Sequence, residues 1–324
     1  MSDITVSMLL VVRNSEEYIS SALYSLLRQG YDHSEFEIII VDGESEDLTL
    51  SLAKQILSES KVNYLILNNK AHSLASGWNI GIKNAKGKYI VRPDAHSELL
   101  NNYVKNGVDK LKKDPLLACV GGILRTQSKD IFGGVIAKIL SNPVGVGGSL
   151  FRIGVSKDTY SDTAVFGVYK KSVFDKCGYF DESLKRNQDV DFHKRVSACG
   201  YKLLTSPSMV ANYYSRDTFI GFVAQGFRNG FWVIASGGYF LRHLAPFAFV
   251  LLLFFSVFVS LKLTLMILAG YLVVTTYFFI KRNKFSILDV LLFDIFIFSL
   301  HISYGFGSAS AIIYAPLKKF IKFS

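Results

Sequence analysis

Ala85-Lys-Gly-Lys-Tyr-Ile-Val-Arg-Pro-Asp94-Ala-His96 is the stretch around which the rest of the chain falls into order. Gly87 reads as a helix stop, Lys88–Arg92 as a strand, and a polar turn follows. The strand end carries Asp94 and His96 in a D-x-H arrangement. Side chains at i and i+2 point the same way while the chain stays extended. A carboxylate beside an imidazole either stabilises a turn or holds a divalent cation, and such a cation could hold a diphosphate. The neighbouring motifs decide between these.

Toward the N-terminus, Thr5–Val12 is a β-branched apolar run that fits a buried strand. Asn14 is placed as a helix N-cap, with Glu17 at capping-box spacing. Ile19, Ala22, Leu23, Leu26 and Leu27 then repeat at helical spacing up to Gly30. Glu37–Val41 is a second buried strand and ends in Asp42-Gly-Glu-Ser-Glu-Asp47. Leu48–Leu57 fits a helix, Val62–Leu67 a third strand and Ser73–Asn84 another helix. Strands alternating with helices predict an α/β fold with a doubly wound, parallel sheet. Such sheets bind ligands at the carboxyl ends of their strands, where Asn14, Asp42 and Asp94 all fall. Neither G-x-G-x-x-G nor G-x-x-x-x-G-K-[ST] occurs, so phosphates would need a metal.

Beyond the D-x-H turn, Glu98–Lys113 reads as a helix and Leu117–Ile123 as a strand. Gly145-Val-Gly-Gly148 reads as a flexible loop of the kind that orders over a substrate. Ala164–Lys170 is strand-like, and Phe180-Asp-Glu-Ser183 is a turn. Asn187-Gln-Asp189-Val-Asp191-Phe-His-Lys-Arg195 opens a helix, where an early Asp suits the helix end.

Half of the 324 residues are apolar and the net charge is +10. The apolar excess lies after Arg242, and residues 217–324 hold nine Lys/Arg against three Asp/Glu. A basic surplus beside apolar segments suits anionic membrane lipid. No basic run interleaved with aromatics marks the rest, which argues against a nucleic-acid partner. Cys119, Cys177 and Cys199 have no zinc-type spacing and read as small buried residues in a reducing compartment. The N-terminal stretch has no basic leader region, so the front of the chain is expected in the cytoplasm. Arg216–Arg242 mixes Phe219, Phe222, Phe227 and Trp232 with Gln225, Arg228 and Asn229, and is expected to lie as helices in the membrane interface. Leu244–Leu261 and Leu263–Ile280 are each long enough to span a bilayer, with Lys262 at the turn. Phe285–Ala315 contains Asp289, Asp294, His301, Gly305 and Gly307. Its length and glycines predict a bent, re-entrant or interfacial arrangement that returns Lys318, Lys319 and Lys322 to the cytoplasm. The chain thus divides into 1–215, 216–243 and 244–324.

In order, the pieces Val6-Ser7 through Arg13-Asn14-Ser-Glu-Glu17, Ile39-Ile-Val-Asp42-Gly-Glu-Ser45, Ala75-Ser-Gly-Trp-Asn79-Ile-Gly81 with Ala85-Lys-Gly87, Asp94-Ala-His96, and Gln188-Asp189-Val-Asp191 with Arg195 resemble glycosyltransferase family 2. The resemblance covers about residues 5–215 and implies the GT-A fold, a doubly wound mixed and mostly parallel sheet, here followed by interfacial helices and a small α-helical membrane domain. Arg92-Pro-Asp-Ala-His96, Asp162-Thr163-Ala-Val-Phe-Gly167, Arg186-Asn-Gln-Asp189 and Arg242-His-Leu-Ala-Pro246 are similar to membrane-attached enzymes of bacterial exopolysaccharide assembly, of the succinoglycan type.

The resemblance implies that Asp42 contacts the uracil of a UDP-sugar, with Asn14 and Glu16 beside the nucleoside. Asp94 and His96 would hold Mg²⁺ or Mn²⁺ against the diphosphate. Asp189 would take the proton from the acceptor hydroxyl, with inversion at the sugar carbon. Asp191, Arg195, Arg228 and Trp232 are candidates for an acceptor-side loop. The chemistry agrees: a departing diphosphate gains charge that a cation offsets, and a carboxylate accepts the proton of the attacking hydroxyl. Two departures stand out, D-x-H in place of D-x-D and Gln188 in place of a Glu. Gln225-Gly-Phe-Arg228-Asn-Gly-Phe-Trp232 is similar to the Q-x-x-R-W motif of processive synthases, but three residues separate Arg from Trp. The expectation is transfer of one sugar to a lipid-linked (polyprenyl diphosphate) oligosaccharide at the bacterial inner membrane, with the catalytic domain facing the cytoplasm. Rivals are a polyprenyl-phosphate sugar transferase and a membrane transporter or scaffold that uses Asp289, Asp294 and His301.

Overall fold

The computed structural model describes residues 4–128, 130–214, 218–237, 241–284 and 286–321, the last seven of these by backbone only. Two compact units emerge, Met1–Arg125 with Gly154–Tyr214, and Thr126–Ile153 with Ser215–Ser324.

In the first unit, β1 (Val6–Val12), β2 (Phe36–Asp42), β3 (Asn63–Asn68) and β4 (Tyr89–Val91) form the parallel half of a sheet. Both β1 and β2 are near-continuous apolar runs because both of their faces are covered. The register sets Val12 opposite Asp42 and Met8 opposite Val91, so Asn14, Asp42 and Asp94 leave one edge together. The remaining strands are β5 (Ser97–Leu99), β6 (Leu117–Gln127), β7 (Thr159–Ser161), β8 (Val168–Lys170) and β9 (Lys202–Tyr214). The order is β3-β2-β1-β4-β8-β6-β9-β5, with β7 on β9. β8 runs antiparallel to β4 and β6, and β5 and β7 antiparallel to β9. The expected doubly wound, mixed sheet is therefore present. Its core centres on Leu9, Ile39, Trp78, Ile90, Tyr169, Phe174, Phe180 and Phe192.

Several local expectations need correction. The first helix is Glu16–Leu27 with Ser15, not Asn14, at its N-cap; Asn14 has φ 47° and its side chain bonds elsewhere. Glu98 lies in β5, not in a helix, because Ser97 and Leu99 turn inward and pair with Tyr213 and Ala211. The helix starts only at Tyr103, after Asn102 at φ 64°. The strand expected from Ala164 begins at Val168, since Phe166 takes φ 45°. Of the cysteines, Cys119 and Cys177 are buried but Cys199 is exposed.

β4 is seated by a buried polar node at the amino end of the sheet. Glu37 accepts hydrogen bonds from Ser7 Oγ and from Lys86 N, each at 2.6 Å. Gly87 N donates to Ser7 Oγ at 2.9 Å. A Cβ on Gly87 would stand 2.6 Å from Ser7 N.

The second unit is helical. Ile287–Ile321 is one continuous helix, which replaces the bent arrangement expected for Phe285–Ala315. Gly305 and Gly307 do not break it; they admit neighbouring chain, a Cβ on Gly305 lying 2.7 Å from Pro246 O. Phe219–Ala235 is a single helix whose Gly226 and Gly230 face that long helix, and Ser308 Oγ donates to Gly230 O at 3.1 Å. Small residues allow such close approach. Ile131–Leu140 adds Val135, Ile136 and Ile139 to a cluster with Phe222, Phe279, Phe293, Phe296 and Ile297. Instead of a loop, Gly145–Gly148 begins in the helical turn Pro143–Val146, and Gly147 has φ 61°. Ser260, not Lys262, separates Ala245–Val259 from Leu261–Ile280. Three helical stretches are long and apolar enough to cross a membrane: Leu241–Val259, Leu261–Ile280 and Ile287–Tyr314. Arg216, Phe285 and Lys322 lie outside the described residues, as do the side chains of Lys318 and Lys319.

Asp289, Asp294 and His301 in the last block each have a structural partner. Lys138 Nζ is 2.8 Å from Asp289, and Thr275 and Thr276 donate to Asp294 at 2.6 and 2.7 Å. His301 bonds Tyr271 OH and Val144 O. The transporter reading thereby loses the feature that motivated it.

Gly87→Ala is expected to destabilise the chain by about 1–3 kcal/mol, the usual scale of overpacking. A denaturation midpoint equal to wild type would show that β4 is not seated this way.

Candidate active site

Two loops at the carboxyl edge are bonded to each other. Asn14 Oδ1 accepts from Glu46 N at 2.9 Å, and Asn14 N donates to Ser45 Oγ at 3.0 Å. Glu16 Oε2 accepts from Leu48 N at 3.0 Å, and Glu16 N donates to Asp47 Oδ2 at 3.1 Å. Asp42 is 5% exposed and accepts from Ser45 Oγ at 2.6 Å. Asn14, Glu16 and Asp42 are therefore brought together, through partners that sequence reasoning did not single out, Ser45 and Asp47. Desolvation raises the Asp47 carboxyl, but hydrogen bonds from Thr49 and Glu16 outweigh it and leave the group below its ordinary range.

The D-x-H turn closes immediately beyond β4. Ser97 Oγ donates to Asp94 O at 2.6 Å, which leaves the Asp94 carboxylate facing the imidazole. Asp94 Oδ1 and His96 Nδ1 are 3.4 Å apart, and both side chains are about half exposed. The His96 ring lies 4.6 Å from the Tyr18 ring, which orients it. His96 holds the Asp94 carboxyl below its ordinary value against a desolvation that pushes it up. Among the described residues no group of three or more His, Cys, Asp or Glu side chains converges on one point. The donor set here is one carboxylate and one imidazole. It fits a cation whose other positions are filled by a bound diphosphate and water, and does not fit a closed structural site.

Asp189 stands in the first turn of the helix Gln188–Ala198. Its Oδ1 accepts from Val190 N at 2.9 Å, and among the described residues Oδ2 has no hydrogen-bond partner. Asp191 differs: Arg195 holds it at 2.9 and 3.0 Å and also donates to Cys177 O and Tyr179 O. Asp191 and Arg195 tie this helix to the turn after Cys177, so the geometry gives no support to the acceptor role expected for them. One turn beyond Asp189, His193 is fully buried, with Nε2 2.9 Å from Tyr169 OH. Burial pushes His193 down to about 4, with nearby Asp189 acting the other way. Burial likewise pushes the Tyr169 phenol well up, so both members are neutral near pH 7. This neutral pair beneath Asp189 has no short sequence signature, since it joins β8 to a helix 24 positions away. Arg228 and Trp232 belong to the second unit, in the helix Phe219–Ala235.

Residues 7–177 match the domain described as glycosyl transferase family 2, and the chain belongs to that family. A Methanococcus voltae protein is 30% identical over 93% of this chain and 95% of its own length. Its name is dolichyl N-acetyl-alpha-D-glucosaminyl phosphate 3-beta-D-2,3-diacetamido-2,3-dideoxy-beta-D-glucuronosyltransferase. The succinoglycan biosynthesis protein ExoA of Rhizobium meliloti is 24% identical over 70% of this chain and 68% of that protein. Among solved structures, the mannosyltransferase PcManGT from Pyrobaculum calidifontis, in complex with GDP-Man and Mn²⁺, aligns with a TM-score of 0.55 at 13% identity. That alignment covers 95% of this chain and 73% of the other. S. aureus TarS 1-349 gives 0.52 at 17% identity, over 69% of this chain and 64% of TarS 1-349. These structural likenesses concern the fold, which is GT-A.

The His193 shift fixes a sign. The unfolded chain takes up a proton near pH 6.5 but the folded one only near 4, so this group removes stability as pH falls between those values. His193→Gln is expected to flatten the decline in denaturation midpoint from pH 6.5 to 4. An unchanged slope would mean that His193 titrates in the folded protein as it does in water.

Proposed function

We propose that the chain is an inverting glycosyltransferase that moves one sugar from a UDP-sugar to a hydroxyl of a lipid-linked oligosaccharide. The observation that carries this reading is the contrast between Asp189 and Asp191. One carboxylate at the head of that helix is held by an arginine, and the other, one turn before the neutral pair's histidine, keeps an oxygen without a hydrogen-bond partner among the described residues. Asp189 then takes the acceptor proton, as a positioned carboxylate does in general-base catalysis. Asn14, Glu16 and Asp42 lie on the nucleoside side, where their cross-bonded loops supply a preformed surface. Asp94 and His96 would hold Mg²⁺ or Mn²⁺, and such a cation supplies positive charge to a departing diphosphate. His96, braced by Tyr18, keeps that donor pair oriented. In favour of a metal, Mn²⁺ accompanies GDP-Man in the PcManGT structure.

The acceptor class draws support from the full-length Methanococcus relative, whose name carries a dolichyl-linked sugar phosphate acceptor. That relative's transferred unit is, by its name, a derivative of glucuronic acid. Three apolar helices of spanning length suit an enzyme whose acceptor is a lipid. We place the chain in the cytoplasmic membrane with the catalytic unit on the cytoplasmic side, and the helix Phe219–Ala235 in the interface, where Arg228 and Trp232 would meet the acceptor.

Purified protein with a panel of UDP-sugars and a lipid-linked acceptor extract should release UDP in an acceptor-dependent way. No UDP release from any donor would remove the reading. Asp189→Asn is expected to keep UDP binding and to lower transfer about 100-fold or more. Near-normal turnover would take Asp189 out of the mechanism. EDTA should abolish activity, with recovery on adding Mg²⁺ or Mn²⁺; full activity in chelator would reduce the D-x-H turn to a structural role.

A further inference from the structure

Arg92 is a buried cation that the described protein does not neutralise. It is 7% exposed, and its Nε is buried with no hydrogen-bond partner. Its backbone is satisfied, since its N–H donates to Gly167 O at 3.1 Å. The side chain instead lies flat on aromatic rings, 3.7 Å from the Trp78 centroid and 5.2 Å from that of Phe180. Those rings are themselves fixed. Asn79, adjacent to Trp78, donates to Phe180 O at 2.9 Å and accepts from Phe180 N at 3.0 Å. Stacking holds a guanidinium in one plane and meets part of its desolvation cost, but leaves its in-plane N–H donors unused. A charge buried in this way without a partner is expensive, and structures keep one where a ligand completes it.

Position indicates which ligand. Arg92 is two residues before Asp94 and acts electrostatically on it. Tyr169 is the cross-strand partner of Ile90, so Arg92, two residues on, shares the sheet face of Tyr169, whose hydroxyl meets His193 at 2.9 Å. Arg92 thus lies along the chain between the face of that Tyr169–His193 pair, one helical turn from Asp189, and the turn assigned to the diphosphate. During transfer that interval is occupied by the sugar itself. A planar, pre-oriented guanidinium is matched best by a planar pair of anionic oxygens. We propose that Arg92 binds the carboxylate of the donor's sugar, and that this chain transfers a hexuronic acid residue. The inference rests on the nucleotide-sugar reading above and names the sugar class and the residue that selects it.

The test is equilibrium binding of UDP, UDP-glucose and UDP-glucuronate to the full-length protein in detergent with Mn²⁺. UDP-glucuronate is expected to bind at least about tenfold tighter than UDP-glucose, the scale of one charge-assisted contact. Arg92→Met keeps an apolar chain against Trp78; it should erase that gap while UDP affinity stays within about twofold. Arg92→Lys, which keeps charge without the planar fork, should recover only part of it. Equal affinity of the wild type for the two sugars overturns the proposal, whether or not the variants fold. So does an Arg92→Met protein that loses UDP affinity as strongly as UDP-glucuronate affinity, because the guanidinium would then serve the diphosphate. A wild type that binds no UDP at all removes the transferase reading, and the inference with it.

Discussion

The missing side chain at Gly87 is the constraint on which the carboxyl edge of the sheet depends. Backbone at that position passes so close to β1 that no Cβ fits, and Ser7 and Glu37 close the gap with buried hydrogen bonds. This seats Tyr89 beside Val6 and sets the register of β4. Everything beyond follows from that register: Arg92 reaches the Trp78 ring, and the D-x-H turn opens at the same edge as Asp42. An error of one residue would send Arg92 and Asp94 to the opposite face of the sheet.

Legibility in the sequence tracked how local the governing interaction is. β1 and β2 were readable because a strand covered on both faces is an unbroken apolar run. Asp42 and Asp94 were readable because they end such strands. β5, β7 and β9 were not read: two are only three residues long, and β9 contains Pro207. That proline sits between the stretch paired with β7 and the stretch paired with β5, and a proline inside a run argues against a strand when only the sequence is read. Asn14 misled because a polar residue after a strand looks like a cap, whereas its side chain bonds a loop 32 positions away. Arg92 belonged to a quoted motif, yet only the fold reveals that its buried Nε has no hydrogen-bond partner among the described residues.

The helical unit shows the same division. Its apolar stretches were legible by length, but what the polar residues within them do was not. Asp289, Asp294 and His301 look functional in a string of apolar letters, and each is a cross-link between segments distant in sequence. Gly305 and Gly307 look like breaks and are contact points. A glycine in a helix weakens it in isolation and strengthens its packing against another, and sequence alone does not separate the two.

The short helix Ile131–Leu140 has a consequence for biosynthesis. Its Val135, Ile136 and Ile139 are buried against Phe279, Phe293 and Ile297, which the ribosome reaches only in the last stretch of translation. Until then, of the cluster that covers that face only Phe222 has been made, while Ile131 and Phe132 remain exposed even in the finished protein. Nascent chains with such uncovered apolar faces aggregate in water. Early capture of this segment by the lipid surface would shelter it, and would make membrane targeting begin inside the first half of the chain, ahead of any spanning helix.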